Sequence, residues 1–168
     1  MTLRRSTGFL NKLGGNKTNK LTNGTFGSDA SGWTASNASL AAVGGQLQIT
    51  ETGGSAVGKA YQDITTVIGR IYKLTFDFQK GTGASGAVLV GTTGTPDAIL
   101  TSPNYTDVSA TTKTLLFIAT ATTTRITLQG NSTTAGETAL FDNVVVDEIL
   151  DGFQEIFRGC KIAVFTGT

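Results

Sequence analysis

Ala139-Leu140-Phe141-Asp142-Asn143-Val144-Val145-Val146-Asp147-Glu148 decides the fold. Leu140, Phe141, Val144, Val145 and Val146 are residue types that suit a pleated, half-buried surface, and Asp142-Asn143 interrupts them with two polar side chains. The stretch reads as the closing strand of a β-sandwich. Leu21-Thr22-Asn23-Gly24-Thr25-Phe26 reads as the opening strand, and Trp33 as the first aromatic core anchor. Between them, Gly45–Thr50 alternates with Leu47 and Ile49 inward, and Tyr61–Ile64 begins another strand. Ile68–Lys80 has the most regular alternation, with Tyr72, Leu74, Phe76 and Phe78 on one face and Lys73, Thr75, Asp77 and Gln79 on the other. Ala87–Val90, Lys113–Ala119 and Arg125–Gln129 add further strands, with Leu115, Phe117 and Ala119 sharing a face. The expectation is an all-β jelly-roll sandwich of about eight strands over residues 21–148.

Composition agrees. The chain has 168 residues, 22 glycines and only 15% charged residues, which favours short strands joined by turns. It contains no histidine, so serine–histidine and cysteine–histidine catalysis are excluded. Asp63, Asp77, Asp97, Asp107 and Glu137 are scattered, with no motif that sets one acid against one base, so they read as surface charge. An enzyme is not expected. The single cysteine, Cys160, excludes an intrachain disulfide and reads as a buried structural thiol. There is no run of 18 apolar residues and no signal-peptide pattern, so neither a membrane span nor export is expected.

The ends differ from the middle. Arg4, Arg5, Lys12, Lys17 and Lys20 put five positive charges and no acid into residues 1–20, which leaves about −4 on the remainder. Ser6 or Thr7 caps a predicted two-turn helix that aligns Phe9, Leu10 and Leu13 before Gly14-Gly15. So sparse a charge does not suit a nucleic-acid tail. It suits a basic anchoring arm. Residues 149–168 predict an amphipathic helix with Ile149, Leu150, Phe153, Ile156 and Phe157 on one face, ended by Gly159, and then a strand over Cys160–Phe165. A completed sandwich has no use for these apolar groups, so they predict an attachment segment. The loop Gly91–Asn104 is long enough to be functional or packed on a partner.

The Asn23-Gly24-Thr25-Phe26 opening, Trp33, the Gly69-x-x-Tyr72-x-Leu74-x-Phe76 run and Phe141-Asp142-Asn143 together resemble the galactose-binding-like jelly rolls of the carbohydrate-binding module 4/9/22 group. That resemblance implies a structural calcium held by oxygens of the opening and closing strands, where Asn23 and Asp142 stand. Gly27 stands where the group commonly has an acid, which removes a ligand and a charge, and a metal-free polar network at Asp142 and Asn143 is the alternative. Nothing else in the sequence calls for a cofactor. Glycan binding needs exposed aromatic faces, and after the core rings are assigned, Tyr61 and Tyr105 remain as the candidates.

A second resemblance concerns the ends. Residues 4–14 and 157–168 are similar to the flanks of small structural proteins of tailed bacteriophages. It implies a non-enzymatic virion protein, made in the host cytoplasm, that decorates or cements the capsid. The partners would be the major capsid protein or other virion proteins, and copies of itself. Arg4, Arg5, Phe9, Leu10, Leu13, Phe153, Ile156, Phe157 and Phe165 are the expected contact residues. The alternative is a carbohydrate-binding or adhesion module, or a minor tail or fibre component, that recognises surface glycans.

Overall fold

Alternating side chains demand a sheet with one dry face, and ten strands supply two of them. The structure, a computed structural model, describes residues 19–149. Its strands are β1 (Thr34–Ser36), β2 (Ala38–Val43), β3 (Gln46–Glu51), β4 (Lys59–Thr65), β5 (Ile71–Lys80), β6 (Gly86–Gly91), β7 (Leu100–Thr101), β8 (Thr111–Ile118), β9 (Thr123–Gly130) and β10 (Thr138–Glu148). The first sheet has the order β1-β4-β9-β6-β7 and the second β2-β3-β10-β5-β8, with every pairing antiparallel. The chain passes between the sheets at nearly every connection, so both inner faces close one core, as a jelly roll does. Tyr72, Leu74, Phe76 and Phe78 of β5 are fully buried, as are Leu47, Ile49, Ile126, Leu128 and Phe141. Each such side chain contributes about 1.5–3 kcal/mol. Trp33 is a core residue, and its indole nitrogen donates to the carbonyl of Asn23 at 3.1 Å.

Ten strands replace the expected eight because the edge strands β1 and β7 are only three and two residues long, and β2, also at an edge, turns Ala41 and Val43 outward, so its alternation in burial is not one in hydropathy. Leu21–Phe26 is not a strand. Asn23 (φ 49°) and Phe26 (φ 46°) are left-handed, which breaks any ladder, although Leu21 and Phe26 are buried. The long Gly91–Asn104 segment packs on its own sheet: the Ile99 and Ser102 N–H groups donate to the carbonyls of Val90 and Val88, and β7 lies within it. The segments expected to form the two terminal helices and the Cys160–Phe165 strand, with the expected contact residues Arg4, Arg5, Phe9, Leu10, Leu13, Phe153, Ile156, Phe157 and Phe165, lie outside the described residues, which end at Ile149 and contain no helix.

The closing strand sits in the middle of the second sheet, not at its edge. It is also bulged. The register slips between Asp142 and Val145, with Asn143 left-handed (φ 49°), so Asn143 and Val144 share the position opposite Phe76. β3 pairs only with Thr138–Phe141, and residues 19–24 take over its side of β10 beyond the bulge. The Val144 N–H donates to the Gly24 carbonyl at 2.8 Å and the Lys20 N–H to the Val146 carbonyl at 2.9 Å. The Asn19 carboxamide accepts from the Val146 N–H at 2.9 Å and donates to the Val144 carbonyl at 3.3 Å.

Glu51 ends β3 facing inward and is only 4% exposed. Its Oε2 accepts the Gly58 N–H, while Oε1 has no partner among the described residues. A Cβ at Gly58 or Gly130 would stand 2.5 Å from a Glu51 oxygen, so these glycines make room for the carboxyl. Burial pushes its pKa above the ordinary 4.5, against the pull of the Gly58 hydrogen bond.

Two predictions follow from this packing. A Cβ on Gly24 would lie 2.0 Å from the Val144 carbonyl oxygen, whereas one on Gly27 meets nothing within 4 Å. Gly24→Ala should therefore lower the free energy of unfolding by about 2 kcal/mol or more, and Gly27→Ala by much less, in urea melts. For Glu51, whose carboxyl pKa is raised by folding, ionisation favours the unfolded chain: the cost is absent below pH 4.5 and grows as pH rises through the folded value. Glu51→Gln should flatten that fall, gaining thermal midpoint relative to the parent at pH 7 but not at pH 4.

Candidate functional site

The inner positions of β4 and β9 are committed to the core, so their outer positions hold what chemistry these strands offer. Alternation turns Lys59, Tyr61 and Asp63 outward from β4, and Arg125, Thr127 and Gln129 outward from β9. The register places Asp63 opposite Arg125, Tyr61 opposite Thr127 and Lys59 opposite Gln129. Arg125 grips Asp63 in a fork, Nε to Oδ1 at 2.7 Å and Nη2 to Oδ2 at 2.8 Å, and its Nη1 donates to the Thr93 carbonyl at 3.3 Å. The Asp63 hydrogen bonds raise the guanidinium pKa, so it stays charged. Its Cζ lies 4.0 Å from the centre of the Tyr61 ring, a cation–π contact that fixes the plane of the tyrosine.

Pro96 completes the site. The loop after β6 folds over the sheet so closely that a Cβ on Gly91 would stand 2.1 Å from the Thr95 carbonyl oxygen. It thereby borders a half-open pocket of about 140 Å³ lined by Ser36, Lys59, Tyr61, Pro96, Arg125 and Thr127. The Thr127 hydroxyl is buried without a partner among the described residues. Planar amides continue along the same face: Gln129 Nε2 donates to Asn131 Oδ1 at 2.8 Å, and Asn131 Nδ2 to Asn104 Oδ1 at 2.9 Å. An aromatic ring, a clamped guanidinium and a row of amides can stack against and hydrogen-bond a polar ring-shaped ligand.

The two tyrosines singled out from the sequence stand in different surroundings. Tyr61 lines the pocket. Tyr105 packs its ring on Phe76 and Phe78, with centroids 5.7 Å and 5.9 Å away, and the Lys113 ammonium lies 5.1 Å from its ring centre.

Asn23 and Asp142 each have their own protein partners. The Asn23 side-chain nitrogen donates to the Asp29 carbonyl at 2.9 Å and to the Ser31 carbonyl at 3.1 Å, and so braces the loop before Trp33. Asp142 sits on the outer face of the second sheet, accepts the Asn143 N–H at 2.7 Å, and lies directly across the ladder from Asp77. Burial, with Asp77 adding repulsion, raises its pKa. Asp77 in turn accepts from the Asn143 amide at 2.8 Å and from the Thr112 hydroxyl. Among the described residues, no group of three or more His, Cys, Asp or Glu could hold a metal ion. Asp77, Asp142, Asn143 and Thr112 thus form a polar network among themselves, and calcium, which takes six to eight oxygens, would need further ligands beside Asn23 and Asp142.

A second, apolar hollow of about 570 Å³ lies against β8, between Leu116, Phe117 and Ile118 on one side and Ala98 and Ile99 on the other. Leu116 and Ile118 are 57% and 55% exposed. The chain leaves β10 beside it, since the Ile149 N–H donates to the carbonyl of Ile71, another of its lining residues.

Sequence reasoning found Tyr61 but not Lys59, Arg125 or Thr127. The available signal was the polar alternation in Lys59–Thr65 and Thr123–Gln129. Joining them needs the β4–β9 pairing, across some 60 residues of chain.

No protein-family model matches the sequence, and a search among the curated proteins finds no relative. Solved structures do match. The N-terminal cellulose-binding domain of Cellulomonas fimi β-1,4-glucanase C aligns with a TM-score of 0.62 at 23% identity, over 80% of this chain and 99% of that one. A carbohydrate-binding module of family 4 aligns at 0.61 and 18% identity, over 76% and 99%. The enzymatically active domain of bacteriophage CBA120 tailspike protein 4 aligns at 0.57 and 15% identity, over 78% of this chain but 21% of that one. At these identities the likeness is one of fold: the chain is a jelly-roll sandwich of the kind seen in carbohydrate-binding modules.

Proposed function

We propose that this chain is a non-catalytic carbohydrate-binding module whose site is the outer face of the first sheet around Tyr61. The observation that carries the reading is the Tyr61 ring, held by the Arg125 guanidinium at 4.0 Å and opening on a small pocket flanked by amide side chains. Aromatic rings pack against the apolar faces of sugar rings, while amides and charged groups bond the hydroxyls. Two of the structural neighbours are named for carbohydrate or cellulose binding, which supports the same reading. Catalysis finds less support. Asp63 is closed in an ion pair with Arg125, and the Asp77–Asp142 pair lies on the opposite sheet.

Glycan-array and affinity-gel measurements test the proposal. Tyr61→Ala should weaken retention of the bound glycan about tenfold or more, with the thermal midpoint little changed. Tyr105→Ala should instead lower stability, because its ring packs on Phe76 and Phe78. Unaltered retention by Tyr61→Ala would overturn the site.

A second reading keeps this module on a tailed-phage particle, as a capsid decoration or cement protein or a minor tail or fibre component. Its support is the tailspike domain of similar fold, the basic residues 1–20, and the exit of the chain at Ile149 beside the apolar hollow. Apolar contacts would supply the attachment at about 25 cal/mol per Å² before association costs. Deleting residues 1–15 should abolish co-sedimentation with purified phage shells and leave the circular dichroism of the sandwich unchanged. Full binding by the truncated chain would exclude the arm as anchor.

A further inference from the structure

Resting on the carbohydrate reading, we infer that the Tyr61 pocket selects a sugar bearing an anionic group, a uronate carboxylate or a sulfate ester. The argument is a count of donors and acceptors. Arg125 has five N–H groups, and three are placed, two on Asp63 and one on the Thr93 carbonyl. Two remain. Among the described residues no carboxylate lies within ion-pair distance of Lys59, which lines the same pocket and offers three more donors. The Thr127 hydroxyl is covered and does not face a ligand, so the available donors are those of Arg125 and Lys59.

The acceptors are fewer. Both oxygens of Asp63 face Arg125 in the fork, so the nearest carboxylate is already occupied. Lys59, Arg125 and Asp63 together leave one positive charge at a pocket with a tyrosine wall and a proline wall. A neutral sugar presents hydroxyls that donate as well as accept, and leaves that charge unmet. A carboxylate or sulfate presents only acceptors and one negative charge, which matches the inventory. The pocket, about 140 Å³, falls below the roughly 300–1,000 Å³ of clefts for drug-sized ligands, so it suits one ring of a glycan whose neighbours run along the amide row.

Binding of the full chain and of Lys59→Gln is measured by titration calorimetry against three probes: a neutral cello-oligosaccharide, an oligogalacturonate and a sulfated galactan oligosaccharide. The expected result is at least one anionic probe bound about tenfold more tightly than the neutral one. Lys59→Gln should cut that binding about tenfold. Preference for the oligogalacturonate identifies the carboxylate, and preference for the galactan the sulfate. Raising salt from about 50 to 500 mM should weaken the anionic complex selectively, as exposed charges are screened. Equal affinity for all three probes, or unchanged anionic binding in Lys59→Gln, overturns the inference and leaves the carbohydrate reading in place. No binding of any probe or arrayed glycan by the parent chain overturns both.

Discussion

The Val144 backbone has to find partners that the sheet does not give it. A bulge at Asn143 turns its N–H away from β5, and β3 stops at Phe141, so a central strand would otherwise carry unpaired polar groups into a dry interior. Such groups cost about 1–3 kcal/mol each when left unmet. Residues 19–24 meet them, and that contact fixes much else. Gly24 approaches Val144 so closely that no side chain fits, and Asn19 spans two rungs of the same ladder. From there Gln62 reaches across from the first sheet, accepting the Thr22 N–H at 2.8 Å and donating to the Gly32 carbonyl at 2.9 Å. One irregular segment thus joins the bulged strand of one sheet to β4 of the other.

That tie matters to the candidate site because β4 carries both. Its inner face holds Gln62 and the core residues Ala60 and Ile64; its outer face holds Lys59, Tyr61 and Asp63. The outer side chains stand on a strand braced from beneath, with β9 alongside and the Pro96 loop above. A face held by neighbours beneath, beside and above has less conformational freedom to lose in any association.

The core was legible because its cause is local. Tyr72, Leu74, Phe76 and Phe78 alternate within seven residues, and a period of two needs no distant information. The edge strands β1 and β7 are too short to show such a period and β2 turns apolar residues outward, while the opening segment looked like a strand because its Leu21 and Phe26 are buried, whereas left-handed Asn23 and Phe26 keep it irregular. The site was legible only as Tyr61. Arg125 and Thr127 become its neighbours through the β4–β9 register, and Pro96 through a loop that folds back; none of these contacts is written in adjacent residues. The paired carboxylates Asp77 and Asp142 were hidden for the same reason, being 65 residues apart in sequence and opposite in space.

The two sheets use acidic groups in opposite ways. On the second sheet, Asp77 and Asp142 face each other, and the repulsion is borne by Asn143 and Thr112 donors and by a raised Asp142 pKa. That face absorbs its charge within itself. On the first sheet Asp63 meets Arg125, which neutralises both, while Lys59 has no carboxylate within ion-pair distance among the described residues. Of the two outer faces, the first sheet is the one that keeps a net positive charge at a pocket, through Lys59.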